Sequence, residues 1–125
     1  DRIALEACDV TKTAFPPGHY DVLFAFNIVH GFDEVLNRQL LQTIAGTLKP
    51  GGMVYILDQL QPTGKRGAGT LLPLMVGINL LNETGGAIYS FSQIRGWCEA
   101  VGLNDVKERR LFLPGVSLIS ARKRS

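Results

Sequence analysis

Cysteine, histidine, methionine and tryptophan are scarce: the 125 residues hold two Cys, two His, two Met and one Trp. Cys8 and Cys98 stand far apart, with no second Cys or His at metal-ligand spacing, and His19 and His30 are the sole imidazoles. A zinc centre has little to build on, so no metal is expected. The absence of a cysteine framework and of a signal-like start points to a reduced, cytoplasmic protein. An excess of one charge is missing too. Thirteen Lys+Arg oppose eleven Asp+Glu, for a formal charge of +2. That excludes the dense basic surface of sequence-independent nucleic-acid binding. Lys107, Arg109, Arg110 and the run Arg122-Lys123-Arg124 read as solvated faces. The longest apolar stretch, residues 71–81, is interrupted by Pro73, Gly77 and Asn79. It falls short of the roughly 20 residues that a bilayer span needs, so no membrane partner is expected.

What is present, 46% hydrophobic and 19% charged residues, suits one folded domain. Residues 3–7 read as a short buried strand ending near Asp9. The unbroken apolar run of residues 21–26 reads as a central strand of a parallel sheet covered on both faces. From Asp33, a plausible N-cap, Leu36, Leu40, Leu41, Ile44 and Leu48 recur at helical spacing, with Asn37, Arg38, Gln42 and Thr43 between them. Pro50-Gly51-Gly52 ends that helix, and residues 53–57 form another apolar strand closed by Asp58. A polar loop over 61–70 precedes an apolar helix over 71–81. Ser90 and Gln93 form a capping-box pattern that opens a helix through about residue 101, with Gly102 as its C-cap. Two last strands, 106–112 and 116–121, flank Leu113-Pro114-Gly115, which suits a tight antiparallel turn. Strands alternating with helices, then a terminal hairpin, predict a mixed α/β sheet.

In open α/β sheets, ligands gather at the carboxyl ends of the strands. Asp9, Asn27, His30 and Asp58 fall there. Asp9 suits an acceptor for a ligand amine, with a loop cap as the equal alternative; Asn27 suits a ligand carboxylate or amide, with an Asx-type loop role as its alternative. A lone histidine after a strand is more often structural than catalytic. Asp58 at a neighbouring strand end shifts the balance, because a carboxylate can hold an imidazole in one tautomer and stabilise its protonated form. Thr63-Gly64-Lys65-Arg66-Gly67 lacks both the Ser/Thr and the upstream Gly of a phosphate loop, and no Gly-x-Gly-x-x-Gly follows a strand, which disfavours a nicotinamide enzyme.

The order from Asn27 onward, Asn-x-x-His-x-Phe-Asp, a helix, Leu-Lys-Pro-Gly-Gly and an apolar strand ending in an acid, resembles the class I S-adenosylmethionine-dependent methyltransferases. Within them it is similar to the bacterial small-molecule O-methyltransferase branch. The likeness continues through Asn79-Leu80-Leu81, Gly85-Gly86, Tyr89-Ser90-Phe91 and the closing Pro-Gly-Val-Ser-Leu-Ile segment, covering nearly the whole chain. It implies a Rossmann-like, mostly parallel sheet with a C-terminal antiparallel hairpin, and S-adenosyl-L-methionine as cofactor. Position by position it implies that Asp9 and Val10 contact the adenine ring, that Phe26 and Asn27 line the cofactor side, and that His30 is the base with Asp58 flanking it. Met75 and Asn79 fall on the segment that walls the pocket for a small-molecule substrate.

A phenol of pKa near 10 is about one part in a thousand ionised at pH 7, which explains why an imidazole of ordinary pKa near 6.5 suits the base position. Gly31 stands where the family usually has Asp or His, and Ile88 falls near the second acid of the plant-type enzymes, so carbon and nitrogen acceptors stay open beside a hydroxyl. The family's first strand, its glycine-rich loop and the ribose-binding acid lie upstream of these motifs. The fold is therefore expected to be incomplete, the C-terminal part of a catalytic domain, and the start Asp1-Arg2-Ile3 without Met reads as a cut. The alternative is a non-catalytic fragment or interaction module unable to bind the cofactor alone. Its apolar strand edge would be exposed, which predicts a homo-oligomer.

Overall fold

The computed structural model describes residues 2–61, 86–111 and 115–125. Four strands form one mixed, Rossmann-like sheet in the order β1-β2-β4-β3, built from β1 (Tyr20–Phe26), β2 (Leu48–Gln59), β3 (Leu103–Arg110) and β4 (Val116–Lys123). β1 runs parallel to β2, and β4 pairs antiparallel with both β2 and β3, so the terminal hairpin is present as expected. Its closing bond joins the Leu111 N–H to the Val116 carbonyl, and Gly115 takes a φ of 78°.

Helix α1 (Glu34–Thr47) begins where a side chain can satisfy a free amide: Asp33 Oδ1 accepts from the Leu36 N–H at 2.8 Å. Helix α2 (Phe91–Ala100) opens on a complete capping box, in which Ser90 Oγ accepts from the Gln93 N–H and Gln93 Oε1 accepts from the Ser90 N–H. Gly102, with φ 85°, follows the C-cap Val101. Leu40, Leu41 and Ile44 of α1 join Ile94, Trp97 and Cys98 of α2 in one cluster over Val54, Ile56 and Ile119. Both helices thus cover the same face of the sheet.

Three expectations need correction. Residues 3–7 form no strand, and Ile3 and Leu5 stand in solvent, because the run is not laid against the free edge of β1 or β3 and so has neither a pairing partner nor a covered face. Among the described strands, residues 21–26 form an end strand and not a central one. β1 lies at the end of the described sheet, with Leu23 and Ala25 turned to the core while Val22, Phe24 and Phe26 are exposed. Third, β2 starts five residues before the expected strand, because Lys49-Pro50-Gly51-Gly52 is absorbed as an irregularity opposite Tyr20 and Val22. Gly52 is required there: a Cβ would lie 2.9 Å from the Lys49 carbonyl oxygen and 3.0 Å from that of Asp21. The expected helix over 71–81, with Met75 and Asn79, lies outside the described residues. No helix among the described residues is long and apolar enough to cross a membrane.

Candidate active site

Parallel pairing brings the carboxyl ends of β1 and β2 side by side, with Phe26 opposite Leu57. The chain leaves β1 through Asn27, whose φ of 54° turns the backbone, and the Asn27 N–H still bonds the Leu57 carbonyl at 2.8 Å. A one-turn 3₁₀ helix, Val29–Gly31, follows and delivers His30 over the end of β2.

There the His30 Nδ1 lies 2.5 Å from Asp58 Oδ1, and the His30 backbone N–H donates to Asp58 Oδ2 at 3.2 Å. The Gln59 N–H completes the set with a 2.8 Å bond to Oδ1. The Asp58 side chain is 1% exposed and that of His30 25%. A carboxylate can only accept, so against an ionised Asp58 the proton sits on Nδ1, and in the neutral ring Nε2 then keeps its lone pair. Backbone and ring of one residue are gripped by the two oxygens of one buried carboxylate, which leaves the imidazole little rotational freedom. The pair expected from sequence is therefore brought together.

A second group of residues, which sequence reasoning missed, surrounds the same turn. Asn37 of α1 is buried at 1% exposure. Its Nδ2 donates both to the Val29 carbonyl at 2.9 Å and to the Phe32 carbonyl at 3.1 Å, on either side of His30. The Tyr89 hydroxyl donates to the same Phe32 carbonyl at 2.7 Å. Burial pushes the Tyr89 hydroxyl above its ordinary pKa, with the neighbouring Asn37 side chain acting in the opposite sense. A Cβ at Gly86 would stand 1.9 Å from the His30 carbonyl oxygen, so only glycine fits there. Asn37 Oδ1 is the one buried side-chain polar atom without a hydrogen bond among the described residues. Such an orphan costs about 1–3 kcal/mol. The signal was available in the sequence: Asn37 lies three and four residues before Leu40 and Leu41, on the apolar stripe rather than between its members.

Among the described residues, no other expected residue is hydrogen-bonded to this pair through its side chain. Asp9 heads an exposed Asx-type turn, its Oδ1 accepting from the Thr11 N–H and hydroxyl at 2.9 and 2.6 Å. The Thr11 hydroxyl and then its N–H hold the Asp9 carboxyl below its ordinary pKa. The loop-cap role is thus realised, and Oδ2 lies 4.0 Å from Lys12 Nζ. Val10 is half-buried and lines an open apolar cavity of about 390 Å3 with Phe15, Leu23, Ile28 and Leu40; neither His30 nor Asp58 lines it. Phe26 and Asn27 are exposed at the end of β1. Met75 and Asn79 fall outside the described residues.

Residues 2–56 match a family model described as a methyltransferase domain. The chain is 30% identical over 120 residues to 3-hydroxy-5-methyl-1-naphthoate 3-O-methyltransferase of Streptomyces sahachiroi, covering 96% of this chain and 34% of that protein. It is 26% identical to acetylserotonin O-methyltransferase of Bos taurus, over 88% of this chain and 31% of that one. Among solved structures, human N-acetylserotonin methyltransferase in complex with SAM aligns at TM-score 0.83 and 23% identity, over 96% of this chain and 33% of that one. The chain spans about a third of the length of the curated relatives it matches.

Proposed function

From a chain that carries a methyltransferase-domain segment and the matching fold, we propose that it forms part of a protein transferring methyl groups from S-adenosyl-L-methionine to a small-molecule hydroxyl. His30 acts as the general base, and Asp58 fixes its tautomer and balances the charge it acquires. The observation that carries this reading is the 2.5 Å contact between His30 Nδ1 and a buried Asp58 carboxylate that also accepts the His30 backbone N–H.

The residues at hand suit the cofactor. Asp9 stays ionised, and its Oδ2 is an available acceptor for the exocyclic amine of an adenine ring, with Val10 on the wall of the adjacent apolar cavity. Phe26 and Asn27 extend that side of the site from the end of β1. Met75 and Asn79 are assigned to the substrate wall by the family resemblance alone. When bound, the cofactor supplies the methyl group as a sulfonium. The task of His30 is to take the acceptor's hydroxyl proton at Nε2 as the oxygen becomes nucleophilic, a step typically worth about 10²–10⁴ in rate.

His30→Ala in the full-length protein is expected to lower kcat by at least about a hundredfold while leaving cofactor affinity within a few-fold. Retained turnover would remove His30 from the base role. A second reading applies to the 125-residue chain alone and is favoured by the exposed Val22, Phe24 and Phe26 of β1: by itself it is a non-catalytic piece that associates through that strand. Calorimetry with S-adenosyl-L-methionine should then give no binding at micromolar concentration, and micromolar affinity would overturn it.

A further inference from the structure

We infer that Asn37 and Tyr89 are positioning residues for His30, clamping from α1 and from the segment before α2 the one-turn helix on which it is mounted. The inference rests on the reading of His30 as the base and adds the parts that keep it in place. A 3₁₀ helix of three residues is weakly held by its own hydrogen bonds, and the N-cap residue Ile28 contributes no side-chain cap. Rigidity must come from elsewhere.

The Asp58 carboxylate secures the His30 N–H and Nδ1, while the turn's carbonyls need donors of their own. Asn37 gives both hydrogens of its amide, one to the carbonyl just before His30 and one to that of Phe32, two residues after it. The Phe32 carbonyl takes a second bond from Tyr89. The assignment of the amide follows from its surroundings, since two carbonyl oxygens can be satisfied only by the nitrogen. The orphaned Oδ1 is the mark of this role. At a position three and four residues before buried leucines, an apolar side chain would fill the core without leaving an unpaired oxygen. An asparagine there suits the turn better than the core. The Tyr89 ring packs edge-on against Trp97 at 4.8 Å between centroids, so its hydroxyl is carried on an anchored ring.

The test uses Asn37→Leu and Tyr89→Phe in the full-length protein. Amide hydrogen exchange at His30, the imidazole Nδ1–H proton resonance, steady-state kinetics and thermal melting are followed together. Asn37→Leu is expected to exchange the His30 amide at least tenfold faster, to broaden or shift the Nδ1–H resonance, and to lower kcat tenfold or more with KM for the cofactor unchanged. Tyr89→Phe, which removes one hydroxyl and is the milder change should Asn37→Leu fold poorly, is expected to move the same readouts in the same direction, threefold or more. A melting point that stays within a few degrees while kcat falls supports positioning. Unchanged exchange and unchanged kcat in folded variants overturn it, as does faster exchange with full turnover in a protein that His30→Ala inactivates. Full turnover in His30→Ala instead overturns the base reading alone, and the exchange and resonance of His30 then decide the clamp.

Discussion

Asp58 is nearly water-free, so the hydration that its carboxyl group loses on burial must be replaced. Two backbone N–H groups and one ring N–H do so. Cys98 shows what burial does to a thiol. Its thiol sits among Ile94, Trp97 and Leu103, and burial, with Glu99 adding to it, pushes its pKa from 9.0 to about 12. A thiol whose folded pKa exceeds its unfolded value keeps its proton longer in the folded state. Between pH 9 and 12 the folded chain therefore binds more protons than the unfolded one, and stability falls as pH rises, by up to about 1.4 kcal/mol per pH unit. The raised Tyr89 hydroxyl adds in the same direction above its ordinary value. Urea midpoints measured from pH 8 to 11 are expected to fall more steeply for the native sequence than for Cys98→Val. Parallel slopes would show that Cys98 is not the source. Exposed Cys8 should also be the first thiol to react with a thiol reagent at pH 8, with Cys98 reacting only on unfolding.

At the scale of elements, local chemistry was the readable part. Asp33 and the Ser90/Gln93 pair cap helices as their residue types and spacing require, and the strand ending in Asp58 meets the loop carrying His30 because parallel pairing aligns their carboxyl ends. Each of these features depends on residues close in sequence or on a common strand register. Residues 3–7 and 21–26 read differently because an apolar run states only that burial is favourable, whereas a strand needs a partner edge and a covered face. Asn37 escaped notice for a related reason. Side-chain polarity suggested the wet face of α1, but helical spacing puts it beside Leu40 and Leu41, and its partners at Val29 and Phe32 come from another element. The spacing around Asp9 suits a cap and a ligand acceptor equally. The Thr11 bonds establish the cap and leave one oxygen for the other role.

For the molecule as a whole, the two faces of the sheet differ. One carries both helices; on the other, Val22, Phe24 and Phe26 of β1 stand opposite the half-buried Met53, Tyr55 and Leu57 of β2. Phe24 is 64% exposed, although it stacks on Tyr55 at 5.6 Å and meets Phe26 at 5.4 Å between ring centroids. A contiguous aromatic patch beside an unpaired strand edge is the combination that soluble monomers avoid, since burying each large side chain gains about 1.5–3 kcal/mol. Phe24 is 64% and Phe26 50% exposed, so burying what remains of both from two copies supplies on the order of 3–7 kcal/mol; a dimer must also draw on Val22 and on backbone pairing along the free edge of β1 to offset the association entropy. The 125-residue chain alone is therefore expected to sediment as a dimer or larger species at tens of micromolar. Phe24→Lys places a charge in the middle of the patch without touching the buried Leu23 and Ala25 side of β1, so it should shift the chain to monomer with its helical signal unchanged. A native chain that stays monomeric to millimolar concentration, or a Phe24→Lys chain that associates as before, would mean that this face is not what brings copies together.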